Sequence, residues 1–193
     1  MHISENKYQH ADRRLLRRDF LKLGAVATGI LFNPLSAMAA SDSRAKPFKN
    51  LAFYNTHTNE RLHLCYYRNG KYEHKALSKI NHILRDHRNG EVRAIDTQLL
   101  DLLHALALKS NSQAPFHVIS GYRSPATNKN IRKKSAGVAS RSLHMQGKAI
   151  DIRIHGFKTR QLKNVARKMK IGGVGYYPKS DFVHVDIGRV RYW

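Results

Sequence analysis

Two short segments near the end of the chain, Ile150–His155 and Phe182–Ile187, alternate strictly in polarity. A period of two marks a β-strand, where successive side chains leave on opposite faces. Ile150, Ile152 and Ile154 then share one face, opposed by Asp151, Arg153 and His155; Val183, Val185 and Ile187 are opposed by Phe182, His184 and Asp186. Each segment commits one face to a core and leaves an open face carrying His and Asp. A one-residue slip would bury the charges and expose the isoleucines, so register is strongly specified. The fold must contain a sheet covered on one side, and the polar residues of its two strands can converge on a common point.

The rest of the chain supplies the cover. Leu51–Thr56 and Arg61–Arg68 read as strands, and Asn69-Gly70 is a hairpin signal. Leu77, Ile80, Ile83 and Leu84 have helical spacing, as do Leu99, Leu102, Leu103 and Leu106 behind Asp96 as N-cap. Phe116–Ser120 is a short strand; Ser124-Pro125 opens another helix, and Thr159 caps one that turns Leu162, Val165, Ala166 and Met169 inward. Gly173–Tyr177 is a further strand. Helices early and strands late predict a single α+β domain over 51–193 rather than a doubly wound parallel sheet.

Upstream of the first alternating strand lies Ser142-Leu143-His144-Met145-Gln146-Gly147-Lys148-Ala149. His144 sits in the loop feeding that strand, and Gly147 permits the tight turn between them. Two imidazoles and one carboxylate form a ligand set suited to zinc, with a fourth position left for water. The chain holds 12 His, however, so pairing by chance is easy. The competing reading is a solvated sheet face whose His and Asp meet water or basic neighbours.

Charge and the N-terminus bear on the partner. With 35 Lys+Arg against 13 Asp+Glu the net charge is +22, which suits a polyanion: nucleic acid, anionic lipid or an acidic polymer of the cell envelope. Arg17-Arg18-Asp19-Phe20-Leu21-Lys22 resembles the bacterial twin-arginine export signal. A short apolar stretch, Leu23 to Phe32, and then Ala37-Met38-Ala39 as cleavage site complete the parts of a signal peptide over 1–39. The apolar stretch is too short to span a bilayer, which needs about 20 residues. Residues 40–50 are expected to be a flexible basic lead-in. An exported cation of this kind meets periplasmic peptidoglycan and its carboxylates rather than nucleic acid. The single Cys65, in an apolar run, excludes an intramolecular disulfide and reads as a small buried hydrophobe.

Ser142-Leu143-His144-Met145-Gln146-Gly147-Lys148-Ala149-Ile150-Asp151 matches the S-x-H-x-x-G-x-A-x-D pattern of the zinc peptidases related to D-alanyl-D-alanine carboxypeptidases and the hedgehog fold. Phe182-Val183-His184-Val185-Asp186 resembles their closing H-x-D/H segment. Ser120-Gly121-Tyr122-Arg123-Ser124 and Gly172-Gly173-Val174-Gly175-Tyr176-Tyr177 are similar to those of a twin-arginine-exported murein-endopeptidase branch. The resemblance covers nearly all of residues 50–193. It implies an antiparallel sheet with flanking helices, one zinc ion per chain on His144, Asp151 and His184, and hydrolysis of peptidoglycan cross-links by metal-activated water.

Such hydrolysis needs a carboxylate to take a proton and deliver it to the leaving amine. Asp181 stands three residues before His184, where the related enzymes carry a Glu or Asp base; a turn acid in Pro178-Lys179-Ser180-Asp181 is the plain alternative. Asp186, two residues beyond His184, is the rival, or a partner orienting the ligand histidine. The related peptidases also place an arginine where Arg123 stands, to bind substrate or steady the oxyanion. Tyr176 and Tyr177 line the groove or pack in the core, and His117 and His155 read as structural. Trimming of a stem-peptide terminus needs the same zinc site, and a non-catalytic wall-binding module would share the charge and the signal. The export reading has a direct test. Changing Arg17 and Arg18 together to Lys should hold the uncleaved precursor in the cytoplasm, seen by immunoblot of cell fractions, because the receptor reads the pair rather than the charge. Normal processing of that variant would assign another route.

Overall fold

A computed structural model describes residues 48–135 and 137–193. The signal peptide expected over 1–39 and most of the 40–50 lead-in lie outside the described residues.

Polar–apolar alternation sets the early strands. β1 (Lys49–Asn55) buries Leu51, Phe53 and Asn55 and pairs antiparallel with β2 (Arg61–Arg68). It starts at Lys49, so two residues of the expected lead-in belong to the sheet. The Asn69-Gly70 turn, with φ of 53° and 85°, sends β2 back into the two-residue β3 (Lys71–Tyr72). Cys65 in β2 is half-buried rather than buried, and its Sγ points to the Tyr67 carbonyl.

Helical periodicity sets the cover. α1 (His74–Ile83) buries Ala76, Ile80 and Ile83; α2 (Thr97–Ser110) buries Leu99, Leu100, Leu102, Leu103 and Leu106 behind Asp96, whose side chain accepts from the Gln98 N–H. After β4 (Phe116–Ser120), Ser124 caps α3 (Pro125–Lys134) by accepting from the Thr127 N–H, with Pro125 in the first turn. A one-turn 3-10 helix (Leu143–Gln146) leads into β5 (Ala149–Ile154). α4 (Thr159–Met169), β6 (Gly173–Tyr177), β7 (Phe182–Asp186) and β8 (Arg191–Tyr192) follow. Among the described residues no helix is long and apolar enough to cross a membrane.

The eight strands form one sheet in the order β3-β2-β1-β4-β5-β7-β6-β8. The sheet is mixed, not wholly antiparallel: β1 pairs parallel with β4, and β6 with β8. The first parallel pair follows from the connection, because α1 and α2 intervene and give the chain the length to cross back. One face carries Phe116, Val118, Ile150, Ile152, Ile154, Val183 and Val185 into a core shared with the α2 leucines and with Leu162 and Ala166 of α4. This is the apolar face that the alternation requires.

The opposite face differs from expectation. Asp151, His184 and Asp186 are buried on it, because the 3-10 helix and the C-terminal segment fold over this end of the sheet. Thr159 also differs: Lys158 occupies the N-cap of α4 without a side-chain bond, and the Thr159 hydroxyl donates to Asp181 instead.

Gly147 ends the 3-10 helix at φ 67°, and a Cβ there would fall on the Ala94 carbonyl, next to the backbone bond from Asp96 N–H to Gly147 O at 3.0 Å. Gly90 has a similar φ of 76° with open space around it. Gly90→Ala should therefore cost roughly 1–2 kcal/mol for the left-handed backbone alone. Gly147→Ala should cost about 2–4 kcal/mol, because overpacking is added. Urea midpoints measured with chelator present compare the two, and equal losses would remove the close-approach argument.

Candidate metal centre

The β5–β7 register places Asp151 directly opposite His184. His144 arrives from the 3-10 helix, whose first turn is fixed by Ser142: its hydroxyl accepts from the His144 N–H at 3.4 Å and its carbonyl from the Met145 N–H at 3.1 Å. His144 Nε2, His184 Nδ1 and Asp151 Oδ1 point at one another, with separations of 3.2 Å between the two nitrogens, 2.8 Å from His184 to Asp151 and 3.3 Å from His144 to Asp151.

Protons on the outer atoms fix what the inner atoms offer. The Nδ1–H of His144 donates to the Gly121 carbonyl at 2.7 Å, which leaves Nε2 as a bare lone pair. The Nε2–H of His184 donates to Asp186 Oδ2 at 2.9 Å, so the neutral imidazole presents Nδ1 inward in the same way. Asp151 is anionic: burial works against its charge, but His144, His184 and Arg123 hold its carboxyl well below the usual range. Three buried lone pairs thus face one point. Without a metal, a proton on His184 Nδ1 shared with Asp151 relieves their repulsion, in keeping with the raised His184 value, and a metal ion would take the place of that proton. Zinc–ligand distances of about 2.0–2.1 Å give a tetrahedron with edges near 3.3 Å, so two of the three separations already match. These are the residues, among those described, that could hold a metal ion.

Outer partners fix each ligand. Arg123 bonds the second oxygen of Asp151, and its Nε–H donates to Ser120 Oγ at 2.8 Å. Asp186 takes the His184 proton, a two-pronged approach from Arg191 at 2.7 and 3.1 Å, and the Gly173 and Gly188 N–H groups at 3.0 and 2.8 Å. Burial opposes the Asp186 charge, yet His184, Arg191 and these two N–H groups depress its carboxyl far below the ordinary value. Burial pushes the His144 imidazole down, towards the neutral form a ligand needs; burial also opposes the His184 charge, but Asp151 and Asp186 together raise it. Asp186 is thus placed to orient the His184 ring, the second of the two roles open to it.

The cluster opens into a cavity of about 520 Å³. Trp193 forms one wall: its ring lies 5.2 Å from that of His184, and its indole N–H donates to Tyr177 Oη at 2.9 Å. Gly175 admits this ring, since a Cβ there would run into it.

Residues 43–193 match the family described as peptidoglycan L,D-endopeptidase MepK, of the M15 peptidases. The chain belongs to that family. It is 40% identical over 177 residues to the peptidoglycan L,D-endopeptidase MepK of Escherichia coli strain K12, covering 92% of this chain and 96% of the relative. The Shigella flexneri protein of that name stands at the same identity and coverage. A probable peptidoglycan L,D-endopeptidase MepK of Haemophilus influenzae is 39% identical over 178 residues, covering 92% and 95%.

Within this MepK-family fold, His144, Asp151, His184, Asp186 and Arg123 are brought together. Asp181 is not: it has φ 50°, so the pleat does not aim it, and its exposed carboxylate takes the Thr159 hydroxyl at 2.9 Å and Arg153 at 3.5 Å. Tyr177 lines the cavity, whereas Tyr176 is half-buried beneath Lys163. His117 and His155 stack on each other at 5.7 Å, away from the cluster. Sequence patterning missed the Gly121 carbonyl, Arg191 and Trp193. A backbone carbonyl leaves no signal in a sequence, and the last two lie in a tail without periodicity. If Asp186 fixes the His184 tautomer, Asp186→Asn should weaken binding of a divalent transition metal by about 10–100-fold in a chelator competition, with folding retained. Unchanged affinity would reduce Asp186 to a structural anchor.

Proposed function

We propose that this chain is a zinc-dependent murein endopeptidase of the periplasm, cleaving an L,D peptide bond in peptidoglycan after export by the twin-arginine route. The observation that carries the reading is the convergence of three buried lone pairs, from His144, Asp151 and His184, at the floor of an open cavity in a chain of this family. The substrate bond follows the name its relatives carry. The signal over 1–39 and the strong positive charge support the location.

A zinc ion held by His144 Nε2, Asp151 Oδ1 and His184 Nδ1 would supply Lewis acidity, polarising the scissile carbonyl and acidifying water. The chain's own groups do the rest. Gly121 O and Asp186 hold the two imidazoles in the tautomers that present lone pairs inward. Arg123 sits against Asp151 with its side chain partly open to the cavity, where a permanent positive charge can meet the developing oxyanion. Proton transfer falls to Asp181. Asp186 has no exposed atom and is committed to His184, Arg191 and two backbone N–H groups, whereas Asp181 is exposed and held by one hydroxyl and a long ion pair. Turning from those partners, its carboxylate would take a proton from the attacking water and pass it to the amine nitrogen as the C–N bond breaks.

Mass analysis of cross-linked muropeptides digested with and without chelator tests the function. Loss of cross-linked dimers that chelator blocks and zinc restores is the expected result. Release of a single terminal residue instead would make the protein a stem-peptide carboxypeptidase. His144→Ala, Asp151→Ala and His184→Ala should each lose most bound zinc and all turnover. Asp181→Asn should keep about one zinc per chain while kcat and kcat/KM fall together by roughly 10²–10⁴-fold. Wild-type turnover in Asp181→Asn would remove it as the base.

A further inference from the structure

We propose that Arg88 and Arg141 form a carboxylate-binding pair that makes the cavity selective for stem peptides with free, rather than amidated, carboxylates near the cleaved bond. This rests on the peptidoglycan reading above and extends it to substrate class.

Four arginines line the cavity: Arg88, Arg123, Arg141 and Arg191. Two are committed, Arg123 to Asp151 and Arg191 to Asp186. Arg88 and Arg141 are exposed, and among the described residues no carboxylate lies within ion-pair distance of either guanidinium. The cavity wall offers them no internal partner, since its one acidic residue is Asp151, already shared by two imidazoles and Arg123. Between Asp101 and Asp151 the chain has no acid at all. The excess positive charge therefore stands over the metal cluster uncompensated, and an anionic ligand is its complement.

Both arginines are mounted on fixed backbone. Arg88 lies in the turn after α1, where Asp86 accepts from the Arg88 N–H at 3.0 Å with one oxygen and from the Ser124 N–H at 2.9 Å with the other. Asn89 adds a bond to the Ser124 hydroxyl at 3.0 Å, so this turn is tied to the start of α3. Arg141 directly precedes Ser142, the residue that shapes the 3-10 helix holding His144. Each arginine's backbone is thus anchored beside an element of the cluster, its side chain lines the cavity, and a guanidinium fork matches a carboxylate in two bonds. A carboxamide offers no charge and turns N–H groups towards the same donors.

The test measures binding, so it does not depend on turnover. A synthetic stem tetrapeptide containing diaminopimelate is titrated calorimetrically into the zinc-loaded protein, alongside the same peptide with its side carboxylates amidated. The acid form should bind the wild type about ten- to hundredfold more tightly than the amide. Arg88→Gln and Arg141→Gln should each lose about tenfold of the affinity for the acid form and none of that for the amide. Lys168→Gln, an exposed charge on α4, should change neither beyond a small uniform loss. Equal binding of acid and amide by the wild type, or an acid preference that survives in both variants, overturns the proposal. A preference that follows the two arginines in a protein that hydrolyses no cross-link would sustain it and defeat the endopeptidase reading; hydrolysis with no preference does the reverse.

Discussion

Asp151 is where the demands of fold and site meet. Its backbone belongs to the central β5 strand, its neighbours Ile150 and Ile152 are fully buried in the core, and its own carboxylate is buried on the other face. A lone carboxylate in that position would carry a desolvation cost of several kcal/mol. Both oxygens are therefore engaged, one by two imidazoles and the other by Arg123. The pairing then propagates outward. Arg123 is held by Ser120 at the end of β4, His184 by Asp186, Asp186 by Arg191, and His144 by the Gly121 carbonyl. Remove the carboxylate, and one guanidinium and two imidazoles, from three segments, lose a common partner.

The same network separates rigid from adjustable parts. The Gly121 carbonyl and Asp186, which fix the two imidazoles, are buried, whereas Asp181, Arg88 and Arg141 are exposed. That division suits a site whose inner geometry must be set before substrate arrives, while a bulky polymer has to be admitted and gripped. It also couples metal to folding. Because the inner ligand atoms converge only in the native arrangement, a cation that binds them would stabilise the folded chain, and its dissociation would return a proton to the His184–Asp151 pair.

How far this was legible in the sequence depends on the kind of interaction. The alternation of Ile150–His155 and Phe182–Ile187 specified faces and register, and together with the S-x-H-x-x-G-x-A-x-D spacing it singled out His144, Asp151 and His184, which the fold brings into one cluster, because side-chain periodicity is a local property. The parallel pairings of β1 with β4 and β6 with β8 are not local, since they depend on where two helices and a tail return the chain. Burial of the polar face escaped for the same reason: what covers it is Trp193 and the 3-10 helix, one a terminal residue and the other too short to show a period. Thr159 failed as a cap because a tertiary partner, Asp181, took its hydroxyl.

Asp181 also shows why sequence offset alone assigns chemistry poorly at a strand start. Three residues of extended chain separate it from His184 by about 10 Å of backbone, and period two would send the two side chains to opposite faces. Its left-handed φ of 50° breaks that alternation and turns the carboxylate towards Arg153, which shares a strand face with Asp151. The irregular residue thus lies between Arg153 and Thr159 at the start of α4, outside the cluster. The proton-transfer role proposed for Asp181 calls for an exposed carboxylate of this kind. It must ionise in contact with water, reach inward when the substrate excludes solvent, and then release its proton to the departing amine. A carboxylate locked beside the metal, as Asp186 is beside His184, would hold its ligand well and move no proton.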